Sequence, residues 1–337
     1  MSALNETTPH EATTALSAAG RARTAVLVLA FCCVCWGFSF PVAKHALTSF
    51  SNHVQKTGSG EALSIWADAG VKATVNGWRF AGAALLYWLL VRSRLKSFKA
   101  SDLRGSLWVG AFFSAGMLAQ MVGLSYTRPS ISGFLTSLVV VFAPFAQAIL
   151  LRRPVQRTTW VAVAVATVGI VILAWPASAV DESVTAPPIP FLGEALTILG
   201  SLFFTGQLLT LDHFGKDRDT SGITLGMFSI TALTGIGFGI AMAGSDIYRA
   251  PVLHAAQSDG LLLLSVASLI VFSTIVAMHL MNVYQPQISP ATASVVYCLE
   301  PVFATLFSVG FGVENLTLAT ISGGGVILTA VLLVARK

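Results

Sequence analysis

Glu300 and Pro301 stand in the middle of a stretch, 289–313, whose other members are almost all apolar or small. The stretch is long enough to cross a bilayer, which takes about 20 mostly apolar residues. An ionisable group at the bilayer centre costs about 2.5 to 3.5 kcal/mol on insertion scales. Pro301 has no N–H, so the carbonyl of Tyr297 one turn back loses its helical partner. A carboxyl and a freed carbonyl are tolerated at that depth only against protein or water. The pair therefore implies a polar pathway through a membrane. The carboxylate could bind a substrate ammonium, pair with Arg79, or carry a proton between the two sides. A structural ion pair or a hydrogen bond between helices is the plainer alternative.

Helical spacing puts Ala293, Tyr297, Glu300, Ala304 and Ser308 on one side of this segment. A second apolar run, 130–151, repeats the pattern with Ser132, Thr136, Val139, Ala143 and Gln147. Small and hydroxyl residues suit a cavity lining, and they equally suit close helix packing in a membrane. Pro144 frees the Val140 carbonyl as Pro301 frees that of Tyr297. Pro41 does the same for Gly37, next to Trp36, a ring that could stack on a substrate or fill the bundle core. Lys44 sits near one end of its run, where a lysine can snorkel to the interface. Arg79 lies deeper and could pair with Glu300, hold an anionic substrate group, or reach outward. Gln120 and Gln207 are candidate hydrogen-bonding groups of a cavity, and His279 is either a titrating group or a satisfied packing residue.

Other chemistry is poorly represented. Cys32, Cys33, Cys35 and Cys298 all lie in apolar runs. The C-x-x-C spacing of Cys32 and Cys35 has no neighbouring Cys or His to complete a metal site, so no metal, disulfide or cofactor is expected. Gly235-x-Gly237-x-Gly239 lacks the strand–turn–helix context of a nucleotide loop and suits helix packing instead. No Walker loop, H-E-x-x-H or G-x-S-x-G is present, so neither ATP-driven pumping nor hydrolysis has visible machinery, and no catalytic residue is assigned. Glu194 begins an apolar run and suits a helix start.

These groups need membrane helices to position them. Of 337 residues, 55% are hydrophobic and only 10% charged, against about 25% charged in a soluble chain. The net charge of +5 is spread over short links rather than gathered on one patch, which argues against nucleic acid. Apolar runs at 24–47, 71–92, 106–126, 130–151, 157–175, 191–211, 221–243, 260–282, 290–312 and 317–335 predict ten spans. Residues 1–23 are polar and read as a cytoplasmic tail, with a chance sequon at Asn5-Glu6-Thr7 and no signal peptide. The links 48–70 and 176–190 read as exposed loops, the first holding Gly58-Ser59-Gly60 and the second Pro187, Pro188 and Pro190.

Loop charge sets orientation. With the N-terminus inside, the inner segments hold Arg21, Arg23, Arg92, Arg94, Lys96, Lys99, Arg104, Arg152, Arg153, Arg157, Lys216, Arg218, Arg336 and Lys337. The outer segments hold only Lys56, Lys72, Arg128 and Arg249, so both termini are expected in the cytoplasm of a cell (plasma or inner) membrane. At an offset of 161 residues, Leu138-Val-Val-Val-Phe-Ala143 falls on Leu299-Glu-Pro-Val-Phe-Ala304, and Pro129 on Pro290. That offset divides the chain into five-helix halves, 24–175 and 191–337, joined by 176–190. Five is odd, so the halves are inverted, as in many transporters.

Trp36-Gly-Phe-Ser-Phe-Pro41 with Lys44, Arg79-Phe80, Leu299-Glu-Pro-Val-Phe-Ala304, Glu314-Asn-Leu-Thr317 and Gly323-Gly-Gly325 together resemble the EamA branch of the drug/metabolite transporter superfamily. The resemblance runs from about 24 to 335. Two departures are the long 48–70 link and Arg153, where that family often has a Glu. The resemblance implies an all-α polytopic membrane protein with ten helices in two inverted repeats around a cavity. It further implies secondary transport of small metabolites, amino acids above all. A drug or lipid-precursor exporter is the alternative within transport, and a membrane enzyme, sensor or assembly subunit the alternatives outside it. The expected translocation residues are Trp36, Lys44, Arg79, Gln120, Thr136, Gln147, Gln207, Tyr297 and Glu300. The expected partners are a small-molecule substrate and the lipid bilayer.

Overall fold

The computed structural model describes residues 9–57, 63–93, 95, 100–124, 126, 129–174, 191–216, 218–312 and 315–335. Among these every regular element is helical. Helices α1 (Pro9–Thr57), α2 (Ile65–Val91), α3 (Ala100–Leu124), α4 (Pro129–Thr136), α5 (Val139–Ile149) and α6 (Arg157–Ala174) come first. They are followed by α7 (Leu192–Gly215), α8 (Ser221–Ala243), α9 (Ala250–Ser258) and α10 (Gly260–Ser268). The last group is α11 (Ala277–Tyr284), α12 (Pro290–Tyr297), α13 (Leu299–Gly310) and α14 (Leu318–Ala335). A π-helical segment, Leu269–Val276, joins α10 to α11.

The apolar runs map onto these helices in order. Eight helical stretches are long and apolar enough to cross a membrane. The apolar stretch of α6, Arg157–Leu173, is shorter. Helix α2 is outside the eight because Asp68, Lys72, Asn76 and Arg79 interrupt its apolar residues. Two predicted spans are each broken in the middle. The run 130–151 divides at Ser137–Leu138 into α4 and α5, and 290–312 divides at Cys298 into α12 and α13. Ser137 and Cys298 are separated by the same 161-residue offset as the repeated motif. At both breaks the turn tightens to three-residue hydrogen bonds, Leu138 N–H to Leu135 O at 3.2 Å and Cys298 N–H to Val295 O at 3.2 Å.

One expectation is corrected. Residues 48–57 and 65–70 are helical rather than an exposed loop: α1 continues to Thr57, and α2 starts at Ile65 with the Ser64 hydroxyl accepting from the Ala67 N–H. Leu47, Phe50 and Val54 fall on one face and are buried against Val71, Val75, Ala255 and Leu262, so tertiary packing extends the helix past its polar residues. Helix α1 begins at Pro9, inside the 1–23 segment, where the residues are Ala-rich and of high helix propensity. Residues 1–8 with the sequon, the Gly58-Ser59-Gly60 link, Arg94, Lys96, Lys99, Arg128, the 176–190 linker, Glu314, Arg336 and Lys337 lie outside the described residues.

The helices form one bundle. Helix α2 packs on α8, α3 on α7 and α8, α6 on α14, and α1 on α13, α11 and the π-helical segment. Helix α1 meets α13 closely at Gly37, where an added Cβ would stand 2.7 Å from the backbone nitrogen of Ala304. Of the glycine run in α8, Gly235 makes the close crossing, against Gly77 and the Ala73 carbonyl, while Gly237 faces open space.

Candidate translocation site

Three elements carry the central polar groups. Along α1, Trp36 lies about 20 Å from Arg23 at 1.5 Å per residue. Arg79 lies about 21 Å into α2 from Ile65, and Glu300 about 16 Å beyond Ser289. Each distance is shorter than the roughly 30 Å thickness of a hydrocarbon core.

The π-helical segment links two of them. Its wider turn leaves carbonyls and hydroxyls off the ordinary ladder, as π-bulges at functional sites do. Trp36 donates its indole N–H to the Ser273 carbonyl at 3.1 Å. Arg79 donates from Nε to Thr274 Oγ1 at 2.6 Å and from Nη2 to Ser273 Oγ at 2.9 Å. Both hydroxyls in turn donate to the Leu269 carbonyl. The Arg79 guanidinium is buried and makes no ion pair among the described residues. It does not pair with Glu300.

On the other side of Trp36 stands Tyr297, its ring edge-on at a centroid distance of 5.6 Å. The Tyr297 hydroxyl is buried with no hydrogen-bond partner among the described residues. Tyr297 is the last residue of α12, and Glu300 falls in the first turn of α13 just past the Cys298 break. The Glu300 carboxyl is partly buried near Cys33, Tyr297 and Cys298, and makes no hydrogen bond or ion pair among the described residues. The result is a carboxyl and a guanidinium, neither in an ion pair among the described residues, with Trp36 touching Ser273 beside Arg79 and Tyr297 near Glu300. The cysteines are packing residues, with Cys33 Sγ directed to the Val296 carbonyl and Cys32 Sγ to that of Ala277.

The remaining predicted residues are spread out. Gln120 donates to Thr136 Oγ1 at 2.8 Å, next to the break between α4 and α5. Gln207 is buried, and its Nε2 has no partner among the described residues. Gln147 accepts from the Ala291 N–H at 3.1 Å and so joins the end of α5 to the start of α12. It also lines a cavity of about 390 Å³ with Arg23, Gln156, Thr159, Gln287 and Thr292, at the end of the bundle where α1 starts and α14 stops. Lys44 is exposed and stands apart from the central groups. His279 bonds the Tyr87 hydroxyl at 2.8 Å and belongs to packing.

Sequence reasoning missed Ser273 and Thr274, since hydroxyls in a membrane helix are common and nothing local marks a π-helical turn. It also missed the Arg153–Asp212 ion pair at 2.5 Å, which ties the α5–α6 turn to α7 across 59 residues. Arg152 beside it takes a left-handed backbone, φ 51°.

The comparisons with known proteins agree in kind. An uncharacterized transporter of Archaeoglobus fulgidus is 27% identical over 312 residues, covering 92% of this chain and 85% of that protein. A crystal structure of a protein, 12% identical, superposes with a TM-score of 0.62 over 92% of this chain and 96% of its own, which supports the fold alone. The model of the EamA-like transporter family matches twice, over residues 69–175 and 191–336. The chain is a helical membrane protein that belongs to the EamA-like transporter family.

Proposed function

We propose that this chain is a secondary transporter that moves amino acids or related amine-bearing metabolites by alternating access. The observation that carries the proposal is Glu300, a carboxyl in a membrane-span helix with no partner among the described residues, near the Tyr297 hydroxyl, likewise unpartnered among them, which stands against Trp36. A substrate ammonium suits that corner, since a cation is drawn both to a carboxylate and to aromatic faces. A substrate carboxylate suits Arg79, whose Nη1 makes no hydrogen bond among the described residues. A zwitterion would thus meet opposite charges on opposite sides of Trp36. The cavity at Gln147 is the way in from one side, and Gln120, Thr136 and Gln207 line the adjoining half of the bundle in this reading.

Ten membrane crossings in two inverted halves are part of the proposal. Helix α1 counts as the first crossing, α4–α5 as the fourth, α10–α11 as the eighth and α12–α13 as the ninth. Exchanging the halves then carries each main packing pair into itself or into another. The α2–α8, α5–α12 and α6–α14 pairs map onto themselves, and α3–α7 maps onto α1 with α10–α11. An even count puts both termini on one side, with the Gln147 cavity, and the basic-loop bias makes that side cytoplasmic, in the plasma or inner membrane. Impermeant maleimide should label a cysteine placed at Gln257 in intact cells and spare one at Arg157. The proposal is tested by the purified chain in proteoliposomes. Saturable flux of at least one amino acid or amine is expected, and no flux across a library of such compounds would sink it.

A further inference from the structure

Far from the central groups, α1 ends against the α9–α10 elbow in a chain of polar contacts. His53 lies about 45 Å along α1 from Arg23, so it sits at the end of the bundle opposite the Gln147 cavity. Its Nδ1 is 2.8 Å from His254 Nδ1 on α9, and its Nε2 is 3.2 Å from Asp259 Oδ2. The Ser49 hydroxyl donates to the same Asp259 oxygen, and Asp259 Oδ1 caps α10 through the Leu262 N–H at 2.8 Å. His53 is buried although His254 is exposed.

The tautomers follow from Asp259. An ionised carboxylate only accepts, so His53 Nε2 carries the proton and its Nδ1 presents a lone pair. His254 Nδ1 must then donate. One added proton goes to His254 Nε2, on the far side of its ring, and keeps the bridge. A second leaves two N–H groups and two positive charges facing each other at 2.8 Å, and the bridge is lost. Among the described residues, the other charged groups near this joint are already engaged or exposed. Asp68 on α2 bonds Ser51 and pairs with Lys72 at 2.6 Å. His45 on α1 contacts Ser265 of α10 at 3.3 Å. Lys44 and Lys56 on α1, with Asp246 and Arg249 in the α8–α9 link, are exposed. None of them offers a second acceptor to the histidine pair.

We propose that His53 and His254 form a proton-sensitive latch that closes the face of the bundle opposite the cavity and releases it in acid. The latch is a property of the joint between α1 and α9 and does not depend on what the central site binds. Asp259 supports it: hydrogen bonds from Ser49 and Leu262 hold its carboxyl down at about 2, so it stays ionised in mild acid and remains an acceptor for His53.

Paired spin labels test this without any substrate. Cysteines replace the exposed residues Asn52 and Gln257, while the four native cysteines are buried. Pulsed distance measurements are made on the purified full chain at about pH 7.5 and about pH 5, either side of ordinary imidazole titration. A single short distance at the higher pH and a second, longer population in acid are expected. His254→Gln keeps a hydrogen-bonding amide that cannot titrate, so its distance should stay short at both values. His254→Ala should show the long population at both. Identical distributions at the two pH values in the otherwise unmodified chain would overturn the latch, as would an acid-induced population that survives in His254→Gln.

Discussion

Trp36 and Ser273 are joined by an indole N–H to carbonyl bond of 3.1 Å, although 237 residues separate them. The π-helical turn turns that carbonyl off the axis, and the same turn aims its hydroxyls at Arg79. One local irregularity in one helix therefore holds both the Trp36 indole and the Arg79 guanidinium.

Thr274→Val keeps the shape and removes the acceptor for Arg79 Nε. A hydrogen bond to a charged group contributes about 1.5 to 3 kcal/mol. The variant should lose stability by that amount in denaturant titration of the purified protein. Ser229→Ala, whose hydroxyl bonds only its own helix at the Leu225 carbonyl, should lose much less.

Gly37→Ala tests the α1–α13 contact. The new methyl would meet the backbone at Ala304 N, which cannot turn aside as a side chain could. Overpacking of this kind costs about 1 to 3 kcal/mol. A lowered melting temperature is expected, whereas Gly237→Ala, with open space around it, should melt like the parent chain.

The Arg153–Asp212 pair should respond asymmetrically. Arg153 is 48% exposed and Asp212 4%. Arg153→Ala strands a buried carboxylate, while Asp212→Asn leaves an arginine that water can reach. Arg153→Ala should therefore be the more destabilising of the two by about 1 to 2 kcal/mol, measured by chemical denaturation. Equal losses would mean that burial of the acid does not set the cost.

Asp259 predicts an acid limb. Its folded value is depressed to about 2, against about 3.9 for an unperturbed aspartate. The contribution is present above about pH 3.9 and is lost as pH falls through about 2. Asp259→Asn keeps a helix cap but cannot titrate. Its melting temperature should be lower than the parent's at neutral pH and should approach it below about pH 3.

Much of this was legible in the chain. The apolar runs located the helices because a bilayer imposes their length, and Pro301 beside Glu300 marked a mid-membrane irregularity. The repeat offset that aligned Leu138 with Leu299 also relates the two helix breaks at Ser137 and Cys298. What was not legible depends on distant neighbours. The end of α1 looked like a loop because Phe50 and Val54 find their partners on α2 and α9–α10. Arg79 seemed available to Glu300 because its actual partners are neutral hydroxyls almost 200 residues away. The His53–His254 contact spans 201 residues and leaves no local pattern at all.

Glu300→Gln, assayed for substrate flux in proteoliposomes beside the parent chain, tests the central proposal most directly. The amide keeps the size and hydrogen-bonding capacity of the carboxyl and removes its charge and its titration. The account predicts a folded, monodisperse variant whose flux of the parent's amine-bearing substrate falls at least tenfold, equivalent to about 1.4 kcal/mol. A folded Glu300→Gln protein that transports the same substrate at the parent rate, with the same pH dependence, would contradict it.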